Sequence, residues 1–274
     1  MIRKIYVDGP HGQVHLRVAQ PKAGAAGRAV LCFHMSPNSG LVYESLLEEL
    51  GRDRISVAPD TPGFGASDAP SEPPEIEDYA DAMEAVVEQL GLEEIDLVGY
   101  HTGSKTAVEL GLRRPQQVRH VVMISAPLFT KEELDDHRNL YAAKPIAEDG
   151  SHLVRRWKGF IRWHRAHHSL EKAAAMFTES LRGGDKYWWG HRAAFNYPLW
   201  KRMPALKVPL LVLNPEDDLW KQSLRAPELI RNGGMVNLPG WGHGFLDAYT
   251  PIAGAMLREF FDQDRLPKTP AECG

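Results

Sequence analysis

The chain has 274 residues, 43% of them hydrophobic and 25% charged, an ordinary balance for a globular protein long enough for one well-buried core. A formal charge of -4 supplies no global field for nucleic acid or an anionic membrane, and no apolar run approaches transmembrane length. Two distant cysteines, Cys32 and Cys273, make no disulfide framework, and the start M-I-R-K-I-Y-V-D-G-P lacks the apolar stretch of a signal peptide. The expectation is a cytoplasmic location.

Residues 2–8 and 13–19 alternate in polarity, as two strands around the turn Asp8-Gly9-Pro10 should. Ala29-Val30-Leu31-Cys32-Phe33 is a continuous apolar run, the pattern of a strand buried on both faces. Y-E-S-L-L-E-E-L (43–50) has helical spacing and stops at Gly51. Ile55–Ala58 is the next strand, followed by the loop P-D-T-P-G-F-G-A-S-D. An amphipathic helix is expected over 76–90, a strand over Ile95–Val98, a helix over 104–114 and a strand over Val121–Ile124. Later come a strand at Leu210–Leu213, a helix at 224–231, a strand at Met235–Leu238 and a helix at 252–262. Alternating strands and helices predict an α/β fold with a mostly parallel sheet covered on both faces.

Residues 130–204 break this rhythm. They show no clear buried strand, carry 14 Lys/Arg against 9 Asp/Glu, and hold five of the seven Trp and six of the twelve His. They read as a basic helical cap, inserted over the C-terminal edge of the strands. The predicted organisation is therefore a core of 1–129 and 205–265, a cap of 130–204, and a loose polar tail at 266–274.

The stretch L-V-G-Y-H-T-G-S (97–104) runs from a strand directly into a helix, with Gly99 and Gly103 two residues either side of His101. A turn this sharp strains the central residue and brings its neighbours at ±2 into near contact, so only glycine-like residues fit there. The central side chain is lifted above the sheet edge, beside the N-terminus of the new helix.

With this elbow, three further landmarks appear in order. They are F-H-M-S-P-N-S-G (33–40), D-T-P-G-F-G-A-S (60–67), and P-L-L-V-L-N-P-E-D-D (209–218) followed by P-G-W-G-H-G-F (239–245). The sequence resembles the α/β-hydrolase superfamily over roughly 1–130 and 205–263. The resemblance implies a sheet of about eight strands flanked by helices, with an inserted cap, and a nucleophile–acid–histidine triad with an oxyanion hole. Carried over position by position, His243 is the base and Asp218 the acid, with Asp217 a close rival. Backbone N–H groups of Thr102 and of the Met35–Ser36 turn form the oxyanion hole. The sequence departs from the pattern twice. His101 replaces the usual serine, and Met35 stands where glycine is usual.

An imidazole can act as a covalent nucleophile towards an activated carbonyl. Alternatively, His101 and His243 form a coupled acid/base pair suited to a lyase. The third reading is a non-catalytic ligand-binding protein, which the retained Asp218 and His243 disfavour. The leading expectation is hydrolysis of a small polar-aromatic ester, lactone or activated carbonyl compound, without cofactor or metal. The partner is then a small molecule, with no nucleic acid or membrane, and a homodimer is left open. Ser104 and Ser36 are minor alternative nucleophiles.

Other residues are weighed against plainer roles. Gly63-Phe64-Gly65 is no dinucleotide fingerprint, because Asp68 stands where a third glycine belongs. His164, His167 and His168 have a spacing that a metal could use, but no matching carboxylate is obvious. Trp188, His191, Arg192 and Asn196 are candidate substrate contacts beneath the cap. His34 borders the site, with a structural role ranked first. Trp220 and Trp241 flank the acid and base, with packing as the default and pocket lining second.

Overall fold

The computed structural model describes residues 1–273. Eight strands form one sheet in the order β1-β2-β4-β3-β5-β6-β7-β8. They are β1 (Arg3–Gly9), β2 (Gly12–Ala19), β3 (Ala29–Phe33), β4 (Ser56–Pro59), β5 (Ile95–Tyr100), β6 (Val118–Ile124), β7 (Leu210–Pro215) and β8 (Gly233–Leu238). β1 and β2 pair antiparallel, as do β2 and β4, and every other pairing is parallel. This is the mostly parallel sheet, flanked by helices, that the alternating pattern predicts.

The period-two geometry of a strand divides the core between the two faces of the sheet. On β3, Leu31 and Phe33 join one cluster with Val57 and Leu97, covered by α2 (Ile76–Gln89) and α3 (Thr102–Arg113). Val30 and Cys32 join the other with Ala58, Val98 and Val122, covered by α1 (Glu44–Leu50). Each such buried aliphatic or aromatic side chain is worth roughly 1.5–3 kcal/mol.

The order reverses at β3, which continues to β4 on one side and lies beside β5 on the other. A crevice opens where connections leave in opposite directions from the carboxyl ends of parallel strands. His34 and Met35 follow β3 there, and His101 follows β5.

Between β6 and β7 the chain is helical: α4 (Lys131–Leu140), α5 (Ser151–His164), α6 (Leu170–Ser180), α7 (Trp189–Asn196) and α8 (Leu199–Arg202). After β7 come α9 (Trp220–Ser223), and beyond β8 α10 (Phe245–Ala248) and α11 (Thr250–Gln263). The helix expected over 224–231 does not form; only a 3-10 turn at Ala226–Glu228 follows α9. Pro227 has no N–H to give the Ser223 carbonyl, which breaks the helical ladder there. In the C-terminal segment, Thr269 Oγ1 donates to Asn237 O at 3.2 Å and the partly buried Cys273 packs against the core.

Candidate active site

β5 ends at Tyr100 and α3 begins at Thr102, leaving His101 alone in the turn with φ 50° and ψ -106°. A non-glycine residue held there costs about 1–3 kcal/mol. The two glycines are steric requirements. A Cβ on Gly103 would lie 1.9 Å from Phe33 O, and one on Gly99 would lie 2.2 Å from Gly103 O. His101 N donates to Ile124 O at 3.0 Å, which ties the elbow to β6. Ser104 Oγ is fully buried and donates to Gly99 O at 2.8 Å, so its hydroxyl serves the turn.

The side chains above the elbow form two histidine–aspartate pairs. His101 Nε2 lies 2.8 Å from Asp217 Oδ2, and His243 Nε2 lies 2.7 Å from Asp218 Oδ1. The imidazoles do not bond to each other; their ring centroids are 5.3 Å apart. Asp217 is the more deeply buried acid, and accepts also from Ser125 Oγ at 2.7 Å and Leu219 N at 2.8 Å. Asp218 is partly exposed, and its Oδ1 is 3.9 Å from His101 Nε2. Both acids sequence reasoning left in competition are thus present, each with its own histidine.

His243 is turned unlike the base of a serine triad, in which Nδ1 meets the acid and Nε2 the nucleophile. Here Nε2 meets Asp218, and Nδ1 faces Tyr100 Oη at 3.4 Å. The ring also stacks on His164 of α5, centroid to centroid 4.7 Å. Burial drives His164 down to about 3, so it packs as a neutral ring.

Burial alone would lower the His101 pKa, but the charge and hydrogen bond of Asp217, helped by Asp218, carry it above the ordinary imidazole value. Burial likewise opposes ionisation of Asp218, yet its bond to His243 and the two nearby imidazoles hold it well below the usual carboxylate range. Burial keeps the Tyr100 phenol protonated.

A small cavity of about 40 Å³ opens onto His101, Thr102, Ser36 and Asp218, room for about three waters. Its far wall is aromatic: Phe129, His137, Tyr141, His191 and Phe195. Tyr141 and His191 stack at 4.1 Å, and His191 Nδ1 is buried without a hydrogen-bond partner among the described residues. α7 closes tightly over the turn, for a Cβ on Gly190 would meet Ser36 Oγ.

Several expected substrate contacts lie elsewhere. His34 is buried, bonded through Nδ1 to Met35 O at 2.9 Å and through Nε2 to Thr61 N–H at 2.8 Å, so it braces two loops. Trp241 is wholly buried and stacked on Tyr249 at 4.3 Å. Neither Trp241 nor Trp220 borders the His101 cavity, and Met35 faces a separate small one. Trp188, Arg192 and Asn196 line a neighbouring cavity that shares Tyr141 and Phe195. Arg192 and Asn196 are both engaged by Glu75, at 2.8 Å and 3.1 Å. His167 and His168 turn to Gly240 O and Asp247, so the trio on and after α5 does not converge.

Sequence reasoning reached His191 of the aromatic wall but missed Tyr100, Ser125, Phe129, His137 and Tyr141. Ser125 stands just past β6 at the carboxyl edge of the sheet, a positional signal for a site residue. Phe129, His137 and Tyr141 have none, because segments far apart in sequence bring them to His191 and Phe195.

A family model described as alpha/beta hydrolase fold matches residues 28–191, more than half of the chain. The chain belongs to the α/β-hydrolase fold family. It is 31% identical over 125 residues to 2-(acetamidomethylene)succinate hydrolase of Mesorhizobium japonicum, covering 45% of this chain and 44% of that protein. The chain thus spans less than half the length of that relative. It is 26% identical to the bifunctional esterase/perhydrolase DCH of Acinetobacter calcoaceticus, over 69% of this chain and 74% of that one. Among solved structures, the enol-lactonase of Burkholderia xenovorans superposes with a TM-score of 0.77 at 16% identity, over 94% of this chain and all of that one. No helix is long and apolar enough to cross a membrane among the described residues.

Proposed function

We propose that this protein hydrolyses small esters, lactones or similarly activated carbonyl compounds with a flat, partly apolar body, and that His101 replaces serine as the reacting side chain. The observation that carries this is the 2.8 Å bond from His101 Nε2 to the buried Asp217, made at the elbow itself. An Nε2–H held by a carboxylate leaves Nδ1 of the neutral ring as the basic nitrogen. The carbonyl oxygen then sits at the N–H of Thr102, at the start of α3. Two relatives support the substrate class, one named a 2-(acetamidomethylene)succinate hydrolase and the other an esterase/perhydrolase.

His101 serves best as a general base. Water adds to the carbonyl carbon while its proton passes to Nδ1, and Asp217 faces the imidazolium formed. Collapse of the tetrahedral intermediate returns that proton to the leaving alkoxide. Covalent attack by Nδ1 would need a second base to release the acyl-imidazole. His243 does not border the cavity, and Asp218 does but is a weak base.

The test is a panel of aryl esters and lactones with wild type and His101→Gln, plus rapid-quench mass spectrometry during turnover. The expected result is turnover that falls at least about 100-fold in the variant, with no acyl adduct on His101. An adduct that forms and decays at the turnover rate would replace the general-base form by the covalent one. Unchanged activity in His101→Gln would end the proposal.

A further inference from the structure

We propose that His101, Asp217, Asp218 and His243 together form a binding site for one divalent cation of the zinc class. One ligand atom from each of the four residues lies within 4.8 Å of those offered by the other three. His101 Nε2 is 2.8 Å from Asp217 Oδ2 and 3.9 Å from Asp218 Oδ1, which is 2.7 Å from His243 Nε2. Donors on a tetrahedral ion with bonds of about 2.1 Å stand about 3.4 Å apart, a spacing these distances bracket.

Ring orientation is the second observation. Both imidazoles present Nε2 to the carboxylate pair, and for His243 this reverses the triad arrangement. A triad needs one histidine bridging acid and nucleophile; here two histidines and two acids converge on one point. The surroundings fit as well. Ser125 and the Leu219 N–H fix the Asp217 carboxylate, and Tyr100 Oη stands at His243 Nδ1. Such outer partners fix the orientation of metal ligands. His101 and Asp218 both border the cavity, which gives a cation a way in.

Charge and proton accounting agree. With neutral imidazoles the quartet carries two negative charges, matching one divalent ion. Each neutral ring keeps its single proton but moves it from Nε2 to Nδ1. At His243 that proton meets the Tyr100 oxygen; at His101 it removes the Nδ1 lone pair on which the hydrolytic reading depends. Cation binding and general-base catalysis by His101 therefore exclude each other in any one molecule. The imidazole–carboxylate donor set, without thiolate, suits zinc and its first-row neighbours.

The inference rests on the geometry of the quartet, and its test does not require hydrolysis. The full chain is stripped with chelator and titrated with Co²⁺, read by visible d–d absorption and by equilibrium dialysis. The expected result is one Co²⁺ per chain and tetrahedral-type bands. Asp218→Asn and His243→Gln, checked for folding by circular dichroism, are each expected to weaken binding at least about 10-fold. Failure to bind Co²⁺ at 1:1, or binding that both folded variants keep intact, would overturn the proposal. Turnover by the stripped protein in chelator, measured in parallel, tests the hydrolytic reading by itself.

Discussion

Asp217 fixes the ring of His101 while being fixed itself: it accepts from His101 Nε2, Ser125 Oγ and Leu219 N, all within 2.8 Å. A carboxylate with three donors has no freedom to turn, so the tautomer of His101 is set by Asp217. Asp217→Asn offers the ring an amide in place of the charge and can stabilise the wrong tautomer. We expect kcat/KM to fall roughly 10³- to 10⁴-fold, the scale seen when a catalytic histidine loses its orienting carboxylate. A circular dichroism melt should show the fold retained, and a loss under 10-fold would mean that Asp217 does not orient His101.

His101→Ser restores the family's usual elbow residue but is not expected to create a serine esterase. His243 Nε2 is already bonded to Asp218, and its ring does not border the cavity. With no base beside it, the new hydroxyl stays un-ionised. A fluorophosphonate probe for activated serines should leave the variant unlabelled; stoichiometric labelling would show that His243 can turn to serve residue 101.

Gly103→Ala tests the elbow sterically. The added methyl would lie 1.9 Å from Phe33 O, a backbone atom of a central strand that cannot move aside. Destabilisation of at least about 3 kcal/mol is expected, read by urea denaturation. A change below 1 kcal/mol would mean that β3 and α3 can separate here.

Lys105 gives the pH dependence. It is 2% exposed, its ammonium meets Ala194 O and the Phe129 ring, and it has no ion-pair partner among the described residues. Burial lowers its pKa from 10.5 to about 7. Between these values the unfolded chain binds a proton that the folded chain does not, so stability rises with pH across that window. Lys105→Met removes the penalty. Its Tm should exceed that of wild type most below pH 7, with the difference shrinking towards pH 10.5. A difference independent of pH would show that the ammonium stays charged when buried.

The architecture and the strained turn at His101 are legible in residue order alone. Apolar runs of strand length, alternating with helical spacing, dictate a covered parallel sheet whatever surrounds them, because burial of those side chains is a local necessity. Gly99 and Gly103 around His101 likewise mark the elbow, since the crowding they relieve comes from their own turn and the strand beside it. Pro227 could have warned against a helix at 224–231, for a missing N–H is also a local fact. The pairings arise only on folding: Asp217 with His101, Asp218 with His243, and Tyr100 at the far nitrogen of His243. Adjacent aspartates are equivalent to any reading along the chain. Which histidine each reaches depends on the turn after β7 and on loops from three separate strands. The aromatic wall belongs to the same class, because Phe129, Tyr141, His191 and Phe195 become neighbours only when the helices between β6 and β7 fold over the crevice.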